Sequence, residues 1–247
     1  MKKAAPVFML LIVAFISLPT AKAQITLQAG GGIGYVVPAA DYKGETADYY
    51  AGKNYGLSNG FNIHAKGRVG LIGLRLTGEV SYSSLSNDGE SEPGKGKVEI
   101  KHKILAIKIG PEFHLSVPLL PITPYLGANV ALSSFSGETT FQGVAKVSSA
   151  TYSMESATRL GLGFSGGVIL SVGPAMRLDL GFGYNLMNAS GKEWKDVNQS
   201  QDQRIDTYLA LNDDKDPAYK PLDDKHVVEN GRNIQSIQIT ATIMFGL

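Results

Sequence analysis

Charged residues occupy alternate positions inside otherwise apolar segments of this chain. Lys66 and Arg68, for example, alternate with Ala65, Gly67 and Val69. Because side chains of a β-strand point alternately to opposite faces, this spacing collects the charges on one face and the apolar groups on the other. The nine residues that follow this pattern are Lys66, Arg68, Arg75, Glu79, Lys108, Glu112, Arg159, Arg177 and Asp179.

Two kinds of chemistry fit these nine residues if they are enclosed together. Buried charges must be paired, which predicts a network of salt bridges that fills the interior. Six of the nine are basic and three are acidic, so the alternative is a narrow, cation-rich pore that favours anions. We take the salt-bridged plug as the main interpretation and keep the pore as the alternative.

Nucleophilic chemistry and metal binding were considered for other residues. A base beside a nucleophile would be needed to attack an acyl group, and His102 with Ser83, Ser84 and Ser86 is the candidate, but no recognisable motif surrounds it. The acidic stretch 212–224 lacks the glycine and closing glutamate of a calcium loop and is interleaved with lysines. The sequence therefore predicts no enzyme, no metal site and no cofactor.

Eight segments carry the alternating pattern, each about as long as the ~9–11 residues that a membrane-crossing strand needs. They are 25–35, 61–71, 74–83, 104–115, 125–135, 159–172, 176–186 and 236–247. Their charges lie on the face that would be the core of a soluble barrel, so the apolar face must be the outer one. We predict an all-β fold, an eight-stranded antiparallel transmembrane β-barrel in which the first and last strands pair, because lipid tolerates no free edge.

The connections between these segments alternate between short and long. The short ones fall near 72–73, 118–124 and 173–174. The long ones are polar and rich in turn residues, and run over Pro38–Gly60, Ser86–Lys97, Ser136–Thr158 and Met187–Asn233. Outer-membrane barrels have short periplasmic turns and long extracellular loops, so this alternation predicts the same orientation here.

One stretch breaks the pattern. Apolar residues are even-numbered from Val98 to Ile104 but odd-numbered from Leu105 onward. A β-bulge near Lys103–Leu105 would reconcile the two phases, because one extra residue reverses the facing. Alternatively, this end of the strand projects beyond the membrane. We favour the bulge.

Aromatic residues predicted to face outward lie near the ends of the segments, as in the girdles of membrane barrels. Those toward the long loops are Tyr35, Phe61, Tyr82, Phe135 and Tyr184, and those at the opposite end are Phe113, Tyr125 and Phe245. These girdles predict contact with outer-membrane lipid, including lipopolysaccharide.

The N-terminal residues predict export. A basic start at Lys2 and Lys3, a short apolar stretch and the small-x-small end before Gln24 indicate a signal peptide over residues 1–23, cleaved between Ala23 and Gln24. The barrel domain would then occupy 24–247, in the bacterial outer membrane. Without Lys2, Lys3 and Lys22 of this peptide, 20 basic and 22 acidic residues remain, a formal charge of −2, which gives no reason to expect a nucleic-acid partner.

Several stretches resemble the outer-membrane β-barrel domain of Bacteroidetes that is often called PorT-like. These are Lys103–His114, Pro124–Ala131, the Gly-rich strand before Gly173-Pro174, and Ser236–Phe245. The resemblance extends over the whole mature chain and implies an outer-membrane barrel. The namesake of the family is implicated in protein secretion, and the resemblance implies no catalytic residues.

Two functions remain open at this point. The first is a non-enzymatic barrel with an envelope-structural role or a binding role carried by its loops, since loops on a rigid scaffold often carry function. The second is an accessory component of a secretion or transport assembly. In either case a protein partner would contact the stretch Leu186–Gly231, and the candidate contact residues are Trp194, Tyr208 and Tyr219.

Overall fold

A computed structural model describes residues 25–71, 73–92, 94–115, 121–199 and 201–246. The predicted signal peptide lies outside these residues, as do residue 72 and residues 118–120 of the predicted short turns. The described strands are β1 (Thr26–Ala39), β2 (Gly60–Leu71), β3 (Leu74–Glu92), β4 (Lys95–His114), β5 (Ile122–Gln142), β6 (Ala150–Ser171), β7 (Met176–Ser190) and β8 (Gln235–Gly246). A short helix α1 (Thr46–Tyr50) and two 3-10 turns, Ala40–Tyr42 and Arg204–Tyr208, complete the elements. None of these helices is long and apolar enough to span a membrane.

The eight strands form one closed sheet. Each strand pairs antiparallel with its neighbour in sequence, and β1 pairs with β8. In this closing pair Gly31 lies opposite Ile243 and Tyr35 lies opposite Ile239. Closure leaves no free edge, as lipid requires. The predicted eight-stranded antiparallel barrel is confirmed.

The outer wall of the barrel is apolar. Large hydrophobic side chains on every strand point away from the interior and are about half exposed, for example Ile33, Ile63, Ile107, Phe164 and Ile243. A water-soluble chain rarely exposes so large a continuous apolar area. The wall therefore has the surface expected of a lipid-facing barrel.

Strands β3, β4, β5 and β6 are longer than a membrane crossing requires. They contain 19 to 22 residues, whereas about 9–11 suffice. Two of the four predicted long loops, Ser86–Lys97 and Ser136–Thr158, are therefore wrong in large part, because most of their residues continue the strands. Polar outward side chains such as Ser86, Asp88 and Glu90 gave these stretches the composition of a loop. The stretches nevertheless form paired strands that extend the barrel wall above the membrane.

The predicted β-bulge in β4 is also wrong. The pairing of β4 with β3 and with β5 keeps one register from Lys97 through Ile109. The even-numbered side chains of Val98, Ile100 and Ile104 are buried in the interior, while Glu99 and Lys101 face outward. The alternative interpretation, a strand end that projects beyond the membrane, matches this geometry. The register shifts that do occur lie between β5 and β6 near Phe135 and between β6 and β7 near Leu160.

The other two predicted long loops fold over the extended wall. The connection 40–59 contains α1, and the connection 191–234 contains the turn Arg204–Tyr208. We call the described residues of these two connections the cap. Their apolar side chains pack with inward residues of the extended strands into a single cluster, whose members include Tyr42, Tyr49, Tyr55, Leu57, Val98, Ile100, Phe135, Phe141, Tyr208 and Leu211.

Two residues of the predicted aromatic girdles point the other way. Phe135 and Tyr125 are buried inside the barrel, with 0% and 3% of their surface exposed. In β5 the outward positions are held instead by Leu126, Val130 and Leu132. Phe135 joins the core beneath the cap, and Tyr125 lies among charged residues near the opposite end.

Candidate functional site

Four of the predicted charged residues meet inside the barrel, toward its short-turn end. Lys66 and Arg68 come from β2, and they face Glu112 of β4 and Asp179 of β7. Arg68 binds both carboxylates, with 2.6 Å from its Nε to Glu112 and 2.6 Å from its Nη2 to Asp179. Lys66 reaches the same two groups at 3.0 and 3.2 Å. We call these four residues the plug.

Tyr125 is part of this arrangement, although sequence reasoning placed it on the outer wall. Its hydroxyl donates to Asp179 at 2.9 Å, and its ring lies 5.0 Å from the guanidinium of Arg68. Glycines make room for it, because a Cβ at Gly167 or Gly181 would lie 2.7 or 2.9 Å from the Tyr125 hydroxyl. The inward-facing positions of β5 carry few charges, so the sequence did not indicate which face of this strand is the interior one.

The remaining lumen charges form smaller contacts around the plug. Lys108 pairs with Glu79 at 2.9 Å and also donates to a glutamine of β8. Arg75 donates to Gln28, and Arg177 donates to the carbonyl oxygen of Gly246 near the barrel's short-turn end. The structure thus places four of the predicted charges in one cluster, the plug, with separate contacts beside it.

Arg159 does not join the other predicted lumen charges. It lies on β6 in the same paired row as Ser133 and Ala106, and its partners come from the cap. Its guanidinium contacts Asp213 at 2.7 Å and Glu193 at 3.2 Å. Its inward facing was predicted, but its partner Asp213 lies 54 residues away in a loop. The alternation of residues along a strand does not indicate which loop residue will contact it.

The plug is buried, and its charges are paired with one another. Arg68 is fully buried, and every charge of the plug has an opposite charge within ion-pair distance. A small cavity of about 60 Å³ lies beside it, lined in part by Glu79, Lys108 and Asn129. Mutual pairing leaves the basic residues of the plug with no unbalanced charge to offer a passing anion.

The interior under the cap has the opposite chemistry. Tyrosines supply much of its volume, and their hydroxyls bond to Thr139, to loop carbonyls and to His102. Burial raises the pKa of Tyr49 to about 12 against the smaller opposing effect of its hydrogen bond to Thr139. His102 faces the hydroxyl of Tyr42 at 3.3 Å, not the serines considered as its nucleophilic partners.

The predicted contact residues are in three different environments. Tyr208 is buried against Phe141 and Tyr49, so it belongs to the cap core and is not available to a partner. Tyr219 is partly exposed, and Lys215 lies over its ring at 5.6 Å. Trp194 is partly exposed and lines a pocket on the outside of the cap. Leu222, which sequence reasoning did not select, is completely exposed at 102%.

Three acidic residues of the stretch considered for calcium pair with cations of the protein itself. Asp213 pairs with Arg159, Asp216 with His226, and Asp224 with Lys146. Burial would lower the pKa of His226, but Asp216 and Asp202 outweigh it and raise that pKa. Across the residues that the structure describes, no group of three or more His, Cys, Asp or Glu residues could hold a metal ion.

An apolar outer wall, a closed eight-stranded ring and a charged interior define the class: a transmembrane β-barrel of the bacterial outer membrane. The comparison of family sequences agrees, because residues 8–204 match the family described as the outer membrane protein beta-barrel domain. The chain belongs to this family. No curated protein matches it.

Several solved outer-membrane proteins are similar to this chain. Neisserial surface protein A is 18% identical, with 90% of this chain and 96% of that chain covered and a TM-score of 0.47. OprG from Pseudomonas aeruginosa is 11% identical, with 91% and 97% covered and a TM-score of 0.49. A major outer membrane protein from Thermus thermophilus is 13% identical, with 90% and 99% covered and a TM-score of 0.48. The likeness concerns the fold alone.

Proposed function

We propose that this protein is a closed, non-enzymatic outer-membrane barrel whose cap is a rigid surface for binding a protein partner. One observation carries the proposal: the long connections are folded onto the barrel and not left as free loops. The barrel wall would be held by outer-membrane lipid and lipopolysaccharide. The predicted signal peptide, cleaved between Ala23 and Gln24, would direct its export.

The interior supports a structural role for the barrel. The plug fills the lumen within the membrane, and the apolar core fills it again beneath the cap. A path for anions would have to cross both regions. We therefore infer that the narrow anion-favouring pore is the weaker alternative, and no discrete conductance is expected from the folded protein in planar bilayers.

The cap supports the binding role. Arg204 joins the two connections by donating to the carbonyl oxygen of Tyr50, and Arg232 donates to the carbonyl oxygen of Asn54 at 3.2 Å. Arg159 fastens the longer connection to the barrel wall. A preformed surface loses less conformational entropy on association than a mobile loop does.

The resemblance to PorT-like barrels favours one form of this role, an accessory component of a secretion or transport assembly. In that form the partner is a stoichiometric member of the assembly. In the other form the cap binds a ligand protein outside the cell, and the barrel only anchors it in the envelope.

Leu222 allows a direct test. Its side chain is fully exposed in the longer connection of the cap, and its φ of 68° is one that bulky residues rarely adopt. We expect Leu222→Asp to reduce recovery of a stoichiometric partner in cross-linked pulldowns from native membranes without changing heat-modifiable gel migration. Ser86→Asp, which adds the same charge to the outward face of β3, is the matched control. Recovery of only lipid and abundant neighbours by the wild-type chain would contradict the binding role.

A further inference from the structure

Two arginines inside the barrel stand apart from the paired charges of the plug. Arg75 is the second residue of β3 and Arg177 the second residue of β7, so both lie at the short-turn end. Each is on the inward face of its strand, two residues from a buried neighbour, Thr77 or Asp179. Among the residues that the structure describes, each donates only to a neutral oxygen. We call Arg75 and Arg177 the arginine pair.

The arginine pair converges on the seam between β1 and β8. Arg75 donates to the side-chain oxygen of Gln28 at 2.9 Å, and Arg177 donates to the carbonyl oxygen of Gly246 at 2.8 Å. Gln28 and Gly246 lie directly opposite each other in the pairing of β1 with β8. The two acceptors therefore bring the guanidinium groups close enough for the charge of Arg177 to act on Arg75.

The acids of the lumen network do not neutralise the arginine pair. The two carboxylates of the plug are balanced by the two cations of the plug. The third acid, Glu79, pairs with Lys108 at 2.9 Å. The arginine pair therefore supplies two surplus positive charges, and both lie at the same end of the lumen.

The chemistry of arginine prevents the pair from relieving this repulsion by itself. A buried lysine or histidine can lose its proton, whereas a guanidinium stays charged in proteins. Each guanidinium also has five N–H groups, of which one is bonded to a described residue. Both side chains are partly exposed to solvent. A bound anion would supply the missing negative charge and accept from the remaining N–H groups.

The geometry of the guanidinium selects the kind of anion. Its planar fork matches the paired oxygens of a carboxylate or a phosphate. The plug closes the lumen on one side of the pair, so a ligand has to enter from the short-turn end, which the predicted orientation places in the periplasm. We infer that the arginine pair binds an oxyanion, a carboxylate or phosphate group, that enters from the periplasm and stops at the plug. This inference does not depend on the binding role of the cap.

Side-chain NMR tests the inference, because the chain has six arginines and single Arg→Lys variants assign their Nε–H signals. We expect the signals of Arg75 and Arg177 to shift saturably when the folded protein in zwitterionic nanodiscs is titrated with inorganic phosphate or N-acetyl-aspartate amide. The signal of Arg159, which is paired with Asp213, should not move. Neutral N-acetyl-asparagine amide, and sodium chloride at the same ionic strength, should give no saturable shift.

Variants show whether both arginines contribute. Arg75→Gln should weaken binding about tenfold or more, measured at the signal of Arg177, because charge-assisted hydrogen bonds to the anion are lost. Arg177→Gln should have the same effect at the signal of Arg75. Lys103→Gln, which removes a positive charge from the exposed outward face of β4, is the control and should leave the affinity unchanged. Heat-modifiable gel migration checks that each variant is folded, and if one pair variant is not, the other serves alone.

The two anions distinguish the possible sources of the ligand. A response to the carboxylate alone assigns the site to an acidic group of a periplasmic protein or peptide, and a response to phosphate alone assigns it to a phosphate ester. A response to both supports a general oxyanion site. No saturable shift with either anion, an equal shift with the neutral amide, or undiminished binding in the folded pair variants would overturn the inference. Such a failure would leave the binding role of the cap, which is tested separately at Leu222.

Discussion

The plug and the cap core fill the same barrel with opposite chemistry. The plug consists of charged side chains, whereas the cap core consists of tyrosines and aliphatic residues. The outer surfaces are reversed as well, since Ile107 and Ile109 cover the wall beside the plug, while Glu99 and Lys101 cover it beside the cap. The solvent outside the wall explains both, because lipid requires an apolar exterior and water permits a polar one.

This reversal occurs within single strands. In β4 the inward side chains change from Glu112 and Lys108 to Ile104 and Ile100 without any shift of register. Side chains alternate between the two faces along the whole strand. Only the surroundings of each face change where the strand leaves the membrane. The point of reversal, near Lys103, therefore marks the outer boundary of the hydrocarbon layer.

The largest predicted effect concerns the plug. Arg68→Met removes the cation shared by Glu112 and Asp179 and leaves Lys66 as the one lysine or arginine paired with these two buried carboxylates among the described residues. We expect the free energy of unfolding to fall by about 3–5 kcal/mol, measured by urea unfolding in lipid vesicles. Arg177→Met, at a residue that donates only to a carbonyl oxygen, is the control and should cost less. Equal effects would mean that the plug is no more tightly coupled than an isolated lumen charge.

The position of the membrane boundary can be tested on one face of one strand. Ile107→Lys places a charge on the lipid-facing wall and should cost about 2–4 kcal/mol. Glu99→Lys adds a lysine to the same face of β4 above the boundary, where only the exposed pair with Lys101 is lost, and should cost less than about 1 kcal/mol. Urea unfolding in vesicles measures both. Similar costs would place Glu99 inside the hydrocarbon and remove the explanation for the reversal.

Sequence reasoning recovered the part of the fold that depends on local alternation. The strand count, the closure and the inward facing of Lys66, Arg68, Glu112 and Asp179 all follow from a period of two. It failed where the surroundings change along a strand, as in the bulge predicted near Lys103–Leu105. It also missed contacts that depend on how the connections fold, since nothing near Tyr208 in the sequence indicates that it is buried.

Removing the contact that attaches the cap should have a smaller effect than removing a charge of the plug. Arg159→Ala removes the contacts with Asp213 and Glu193. The carboxylate of Asp213 then stays buried without its arginine. Burial alone would raise the pKa of Asp213, and hydrogen bonds from Arg159 and Asn188 hold it low. Because hydrogen bonds to charged groups contribute about 1.5–3 kcal/mol, limited proteolysis within 191–234 should accelerate by about tenfold or more while the barrel still resists heat. Arg159→Lys should restore part of the protection. Unchanged cleavage would show that the apolar core alone holds the cap.

The smallest effect should be a pH dependence of the stability of residues 216–228 of the cap. His226 has a pKa above its ordinary value because Asp216 and Asp202 outweigh the effect of burial. A group whose pKa is raised on folding stabilises the folded state fully at pH values below its unfolded pKa, and this contribution is lost as the pH rises through the folded value. Amide hydrogen exchange in residues 216–228, corrected for the intrinsic pH dependence of exchange, should therefore show greater protection at pH 5.5 than at pH 8.5. His226→Gln should remove the difference, while exchange in the strands around the plug should show no such dependence on His226. If the pH effect persists in His226→Gln, another group causes it. The plug and the cap would then differ in composition but not in a pH response that depends on His226.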